Sequence, residues 1–131
     1  MQEHPNVALL RDGFTAFAKG DLDHIRDVMF ADGIVWHFPG RNPLSGDYQG
    51  KDQVIRLFHR LFEETDGTFS AEPYEIMASD DYATALVRLR GERNGRSLDT
   101  TGVNVFRQAG GKTVEAWVYS GDQYTTDEFW A

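Results

Sequence analysis

Apolar and polar residues follow two different periods along this chain, and the change from one to the other divides it. Val7, Leu10, Phe14, Phe17 and Ala18 recur at helical spacing while Arg11, Asp12, Thr15 and Lys19 take the opposite side. That pattern predicts a helix which Pro5 opens and Gly20 stops. Asp21 is placed to cap a second, short helix through Leu22, Ile25, Val28 and Met29, ended by Asp32-Gly33. The run Ile34-Val35-Trp36-His37-Phe38 is β-branched and aromatic and reads as a strand, closed by Pro39-Gly40. A polar, glycine-rich loop follows from Arg41 to Gly50. Val54, Leu57, Phe58, Leu61 and Phe62 then form one stripe of a third helix, broken at Asp66-Gly67.

After that break the helical period disappears. Four strand-like runs span Phe69 to Ala78, Tyr82 to Glu92, Ser97 to Gln108 and Lys112 to Ser120. Their separators are short enough for hairpins, and Asn94-Gly95 is the strongest turn signal among them. An antiparallel meander results. Pro73 cannot donate a ladder hydrogen bond, so its run belongs at a sheet edge or carries a bulge. Helices gathered before a meander predict an α+β fold in which a curved antiparallel sheet wraps three helices of the first half. Residues 1–131 form a single domain, with no internal repeat, low-complexity segment or linker.

Charge and residue content exclude several function classes. The formal charge is −8, with 21 acidic against 13 basic residues, a field that repels phosphate backbones and anionic lipid. Nucleic acid and membrane partners are therefore not expected. No apolar run approaches the roughly 18 residues of a membrane span, and polar Met1 to Asn6 offer no signal-peptide core. The absence of cysteine removes disulfides, thiolate metal sites and cysteine nucleophiles, and suits a reducing, cytoplasmic setting. His4, His24, His37 and His59 lack the spacing of paired metal ligands, and there is no GxSxG, P-loop or GxGxxG motif. Neither a metal nor a cofactor is expected.

The polar residues embedded in apolar runs remain. His37 sits between Trp36 and Phe38, and Asn104 between Val103 and Val105, where an amide is disfavoured and costly if buried unpaired. Spacing by itself favours a structural role for each. Thr100 shares the parity of Asn104, with Gly102 between them, while Asp99 and Thr101 take the other parity. Trp117 and Tyr119 share a face that is core, pocket or subunit contact, and Asp122 is a turn residue or a group at a pocket rim. Apolar residues of both parities in the later strands predict a homodimer through the outer sheet face. Phe129 and Trp130 are too apolar for a free terminus and are expected to dock on the pocket mouth or the partner subunit.

The stretch Val35-Trp36-His37-Phe38-Pro39-Gly40-Arg41-Asn42-Pro43-Leu44-Ser45-Gly46-Asp47-Tyr48-Gln49-Gly50 resembles SnoaL-like proteins of the nuclear transport factor 2-like superfamily. Gly111 to Trp117 and the ending from Asp122 to Trp130 share that resemblance, which covers nearly the whole chain. It implies a cone-shaped domain with one pocket, and a small apolar ligand such as a polyketide- or terpenoid-like metabolite. Phe14, Phe17, Trp36, Phe58, Phe62, Thr100, Gly102, Trp117, Val118 and Asp122 are the expected pocket-lining residues. Compared with ketosteroid isomerases, His37 falls at the position of the general base and Asn104 at that of an oxyanion-binding acid. The matching tyrosine position falls on or near Gly13, which argues against steroid isomerisation. The resemblance leaves two readings open. One is a cofactor-independent isomerase, cyclase or lyase with His37 and Asn104 as its catalytic pair, and the other is a non-catalytic binding module or dimerisation scaffold.

Overall fold

Pro5, whose fixed φ suits a first helical turn, opens α1 (Pro5–Ala18), and the His4 ring caps it by accepting from the Asn6 N–H at 3.1 Å. The computed structural model describes residues 3–131, so Met1 and Gln2 of the polar Met1 to Asn6 stretch lie outside the described residues. Asp21 caps the short α2 (Leu22–His24) through the His24 N–H at 3.2 Å. The expected continuation of this helix instead widens into a π-helical turn, Ile25–Met29, and passes straight into β1 (Phe30–Phe38). Asp32-Gly33 therefore lies within a strand, where the register slips between Phe30 and Val35.

The remaining elements are β2 (Gly46–Gln49), α3 (Lys51–Glu63), β3 (Ser70–Ala78), β4 (Tyr82–Arg93), β5 (Arg96–Ala109), β6 (Lys112–Ser120) and α4 (Gln123–Trp130). They build one sheet in the order β2-β1-β6-β5-β4-β3, parallel between β1 and β6 and antiparallel elsewhere. Two elements correct the sequence reading. The Arg41 to Gly50 segment is not all loop, because β2 pairs with β1, and a fourth helix closes the chain. Pro73 satisfies both options at once: β3 is an edge strand, and its register slips between Pro73 and Glu75. Asn94-Gly95 makes the expected two-residue hairpin, with φ of 51° and 75°.

The sheet has two different faces. Ile34, Trp36, Ala85, Val87, Phe106 and Ala116 point inward against α1 and α3 and form the centre of the core. Val35, His37, Val103, Val105, Trp117 and Tyr119 take the outer parity, which the helices leave uncovered. Phe129 and Trp130 dock inside their own chain, 2% and 1% exposed, with Trp130 5.6 Å from the ring of Phe69. Arg93 and Arg96 hold this end by donating to the carbonyls of Glu128, Phe129 and Ala131. A second tie runs from α4 to the loop after β1. Asp127 accepts from Asn42, Gln123 and the Arg41 N–H. A Cβ on Gly40, at φ 96°, would collide with Asp127 and Gln123. Burial pushes the Asp127 carboxyl up, but these hydrogen bonds outweigh it and hold the group below its ordinary range.

Candidate functional site: an apolar cavity under the sheet

A cavity of about 120 Å³ lies between the helices and the inner sheet face. Its walls are largely aromatic because the inward stripe of each element carries Phe or Trp. Trp36 of β1 meets Phe58 of α3 edge-on at 4.9 Å and Phe106 of β5 at 5.8 Å. Phe14 of α1 meets Phe106 edge-on at 6.2 Å. Such T-shaped contacts fix ring positions and keep the space between them from collapsing. Phe14, Phe38, Leu89 and Val118 are only half-buried and mark where the lining reaches solvent.

Asn104 and Thr113 are the only polar side chains among the described lining residues, and none of the described lining residues is ionisable. Thr113 donates its hydroxyl to Gln108 at 2.8 Å, so its proton is already used. Asn104 differs. It is 7% exposed, on the inward parity of β5 opposite Ala85 and Val118, and its carboxamide has no hydrogen-bond partner among the described residues. Nor is that carboxamide sealed away as a buried, unsatisfied group. The residue lines the cavity.

The structure separates the expected catalytic pair. His37 alternates with Trp36 and Phe38, so when those rings point inward the imidazole must point outward. There it stacks on Trp117, with centroids 5.5 Å apart and 18° between planes. Nδ1 lies 2.6 Å from Asp47 and Nε2 lies 2.7 Å from Glu115, whose second oxygen accepts from Arg107 at 3.5 Å. The hydrogen bond to Glu115, then that to Asp47, raises the His37 pKa above its ordinary value despite partial burial. A ring with both nitrogens held against carboxylates favours the imidazolium form, which has no lone pair for a substrate proton.

Of the expected lining residues, Phe14, Phe17, Trp36, Phe58 and Val118 line the cavity together with Asn104. Phe62 does not; it packs behind Phe17 at 4.8 Å. Thr100 and Gly102 share the inward parity of Asn104 but lie outside the lining, and a Cβ on Gly102 would come within 2.5 Å of the Tyr119 carbonyl. Trp117 faces outward with His37. Asp122 is a helix cap, accepting from the Thr125 N–H at 3.2 Å and the Thr125 hydroxyl at 2.7 Å. Thr113 and the phenyl ring of Phe38 line the cavity without having been singled out. The alternation Ile34, Trp36, Phe38 against Val35, His37 carried the signal for both Phe38 and the outward His37.

Comparison with known proteins agrees with this architecture. The model of the SnoaL-like domain matches residues 10–116. An uncharacterized protein of Mycobacterium tuberculosis (strain ATCC 25618 / H37Rv) is 30% identical over 132 residues, covering 100% of both chains. The structure of Bal32a, from a soil-derived mobile gene cassette, is similar with a TM-score of 0.93 at 33% identity, covering 97% of each chain. A nuclear transport factor 2-like protein of unknown function from Burkholderia pseudomallei K96243 shares the fold, with a TM-score of 0.86 at 22% identity over 98% of this chain and 99% of its own. This chain belongs to the SnoaL-like domain family and has the α+β, nuclear transport factor 2-like fold.

Proposed function

We propose that this SnoaL-like domain is a receptor for a small, largely apolar molecule, which it binds in the cavity without transforming it. The observation that carries this reading is the lining: aromatic and aliphatic walls with, among the described residues, one unpartnered carboxamide and no ionisable group. Proton transfer next to a carbonyl needs a base within about 3 Å of the carbon. A base could come from His37 only if the imidazole crossed the sheet, and it is held on the far side by two carboxylates. An amide orients a carbonyl or hydroxyl but does not take a proton at neutral pH.

The distinguishing experiment is isotope exchange. Ketones incubated with the protein in deuterated water should bind, seen as chemical-shift changes at Phe14 and Phe106, and should show no protein-dependent exchange of the hydrogens beside the carbonyl. Exchange that disappears in Phe106→Trp, which fills the cavity, would restore the isomerase reading.

The receptor reading includes assembly as a homodimer through the outer sheet face. Tyr119, Met77 and Tyr82 are 53%, 48% and 45% exposed there, beside half-buried Val103, Val105 and Trp117. Light scattering should return about twice the chain mass of 14.9 kDa, and a monomer mass at micromolar concentration would remove the dimer from the account. No helix among the described residues is long and apolar enough to cross a membrane. A cytoplasmic setting is part of the proposal; a chain without cysteine has no thiol or disulfide to set its redox compartment.

A further inference from the structure

We infer that the cavity selects an uncharged molecule about the size of one six-membered ring, carrying a single carbonyl or hydroxyl that Asn104 orients. This rests on the receptor reading and narrows it to a ligand class. Three independent features lead to it.

Size comes first. A cavity of about 150 Å³ with apolar walls accommodates benzene, and this one measures about 120 Å³. Fused rings would fit only by displacing Phe106 or Trp36, which meet edge-to-face, or by leaving the second ring outside the cavity beyond half-buried Phe14. Charge comes second. A carboxylate or ammonium entering this lining would leave water without meeting an opposite charge, and an unpaired ion pays far more for that transfer than a neutral oxygen does.

The third feature is the single anchor. The Asn104 carboxamide is more than nine-tenths buried, offers two N–H donors and one acceptor, and has no partner among the described residues. The other polar lining group is already engaged: Thr113 pairs with Gln108 across β5 and β6 and donates its hydroxyl to that side chain. A well-ordered water needs two to four polar partners, and the wall around Asn104 supplies only this one amide. A ligand oxygen can therefore take the place of poorly held water at Asn104, while the ring meets the aromatic walls.

The test is a two-dimensional NMR titration of the full chain with four probes. These are cyclohexanone, methylcyclohexane of matching shape, cyclohexanecarboxylate and the two-ring 2-decalone, each with the parent protein and with Asn104→Leu. Cyclohexanone should bind at least tenfold more tightly than each of the other three. In Asn104→Leu its advantage over methylcyclohexane should fall at least tenfold while methylcyclohexane still binds, a change of ratio that a purely structural asparagine would not cause. If cyclohexanecarboxylate or 2-decalone enters the cavity as tightly as cyclohexanone, the ligand class is overturned and the receptor reading stands. If none of the four shifts the cavity residues, the receptor reading fails with it.

Discussion

Asn104→Leu should make the ligand-free protein more stable. Leucine is close to asparagine in size and shape, so the substitution chiefly exchanges a buried carboxamide for a branched alkyl group. Burying an amide without a partner costs about 1–3 kcal/mol. Because the Asn104 amide is reached from the cavity rather than sealed, the lower end applies, and the gain expected is about 1 kcal/mol. Unfolding entropy runs near 2.1 cal/mol/K per residue, about 0.28 kcal/mol/K for 131 residues, so the midpoint should rise by about 4 °C. Differential scanning calorimetry measures it directly, with Asn104→Ala as a control that removes the amide but also leaves a hole. A stable core polar group kept at the expense of stability is the usual sign of a binding requirement. If Asn104→Leu lowered the midpoint by several degrees, the amide would have a structural partner, and the reasoning that assigns it to a ligand would be wrong.

Two other perturbations follow from the same structure. His37 has its pKa raised in the folded state by Glu115 and Asp47, so the stability it contributes is full below the unfolded value of about 6.5 and is lost as pH rises through the folded pKa. The difference in stability between the parent and His37→Gln should therefore be about 1 kcal/mol near pH 6 and shrink toward pH 9, read from urea unfolding at each pH; a difference that grew with pH would contradict the imidazolium assignment. Trp130→Ala removes a ring that is 1% exposed and packed on Phe69 and Phe129, and should cost about 3–5 kcal/mol. A loss under 1 kcal/mol in the same unfolding assay would mean that the terminal helix is not part of the core.

What could be read in the sequence was what periodicity encodes strongly. The stripes of α1 and α3, the long strands β4 to β6 and the Asn94-Gly95 hairpin follow from runs of many residues that all point to one answer. Two elements escaped for the opposite reason. Gly46-Asp47-Tyr48-Gln49 is four mostly polar residues that become a strand only because β1 offers them a ladder. Gln123 to Trp130 has its apolar residues at one end and is helical because Asp122 caps it, Asp127 ties it to the loop after β1, and the last two rings enter the core. The site was half legible. Asn104 stood out as an amide in an apolar strand and does line the cavity, whereas His37 stood out for the same reason and faces away. A one-residue change of parity moves a side chain across the sheet, and the inward rings Trp36 and Phe38 on either side of His37 set that parity. The carboxylates that hold it, Asp47 and Glu115, are 10 and 78 residues away and carry no local signal.

The central claim, that the cavity around Asn104 is a binding site, is tested most directly by locating a bound ligand. Nuclear Overhauser contacts between cyclohexanone and the protein should place the ring against Phe14 and Phe106, with the Asn104 side-chain amide protons shifting as its oxygen binds. Contacts confined to the outer sheet face around Trp117, with the Asn104 amide unmoved, would contradict it.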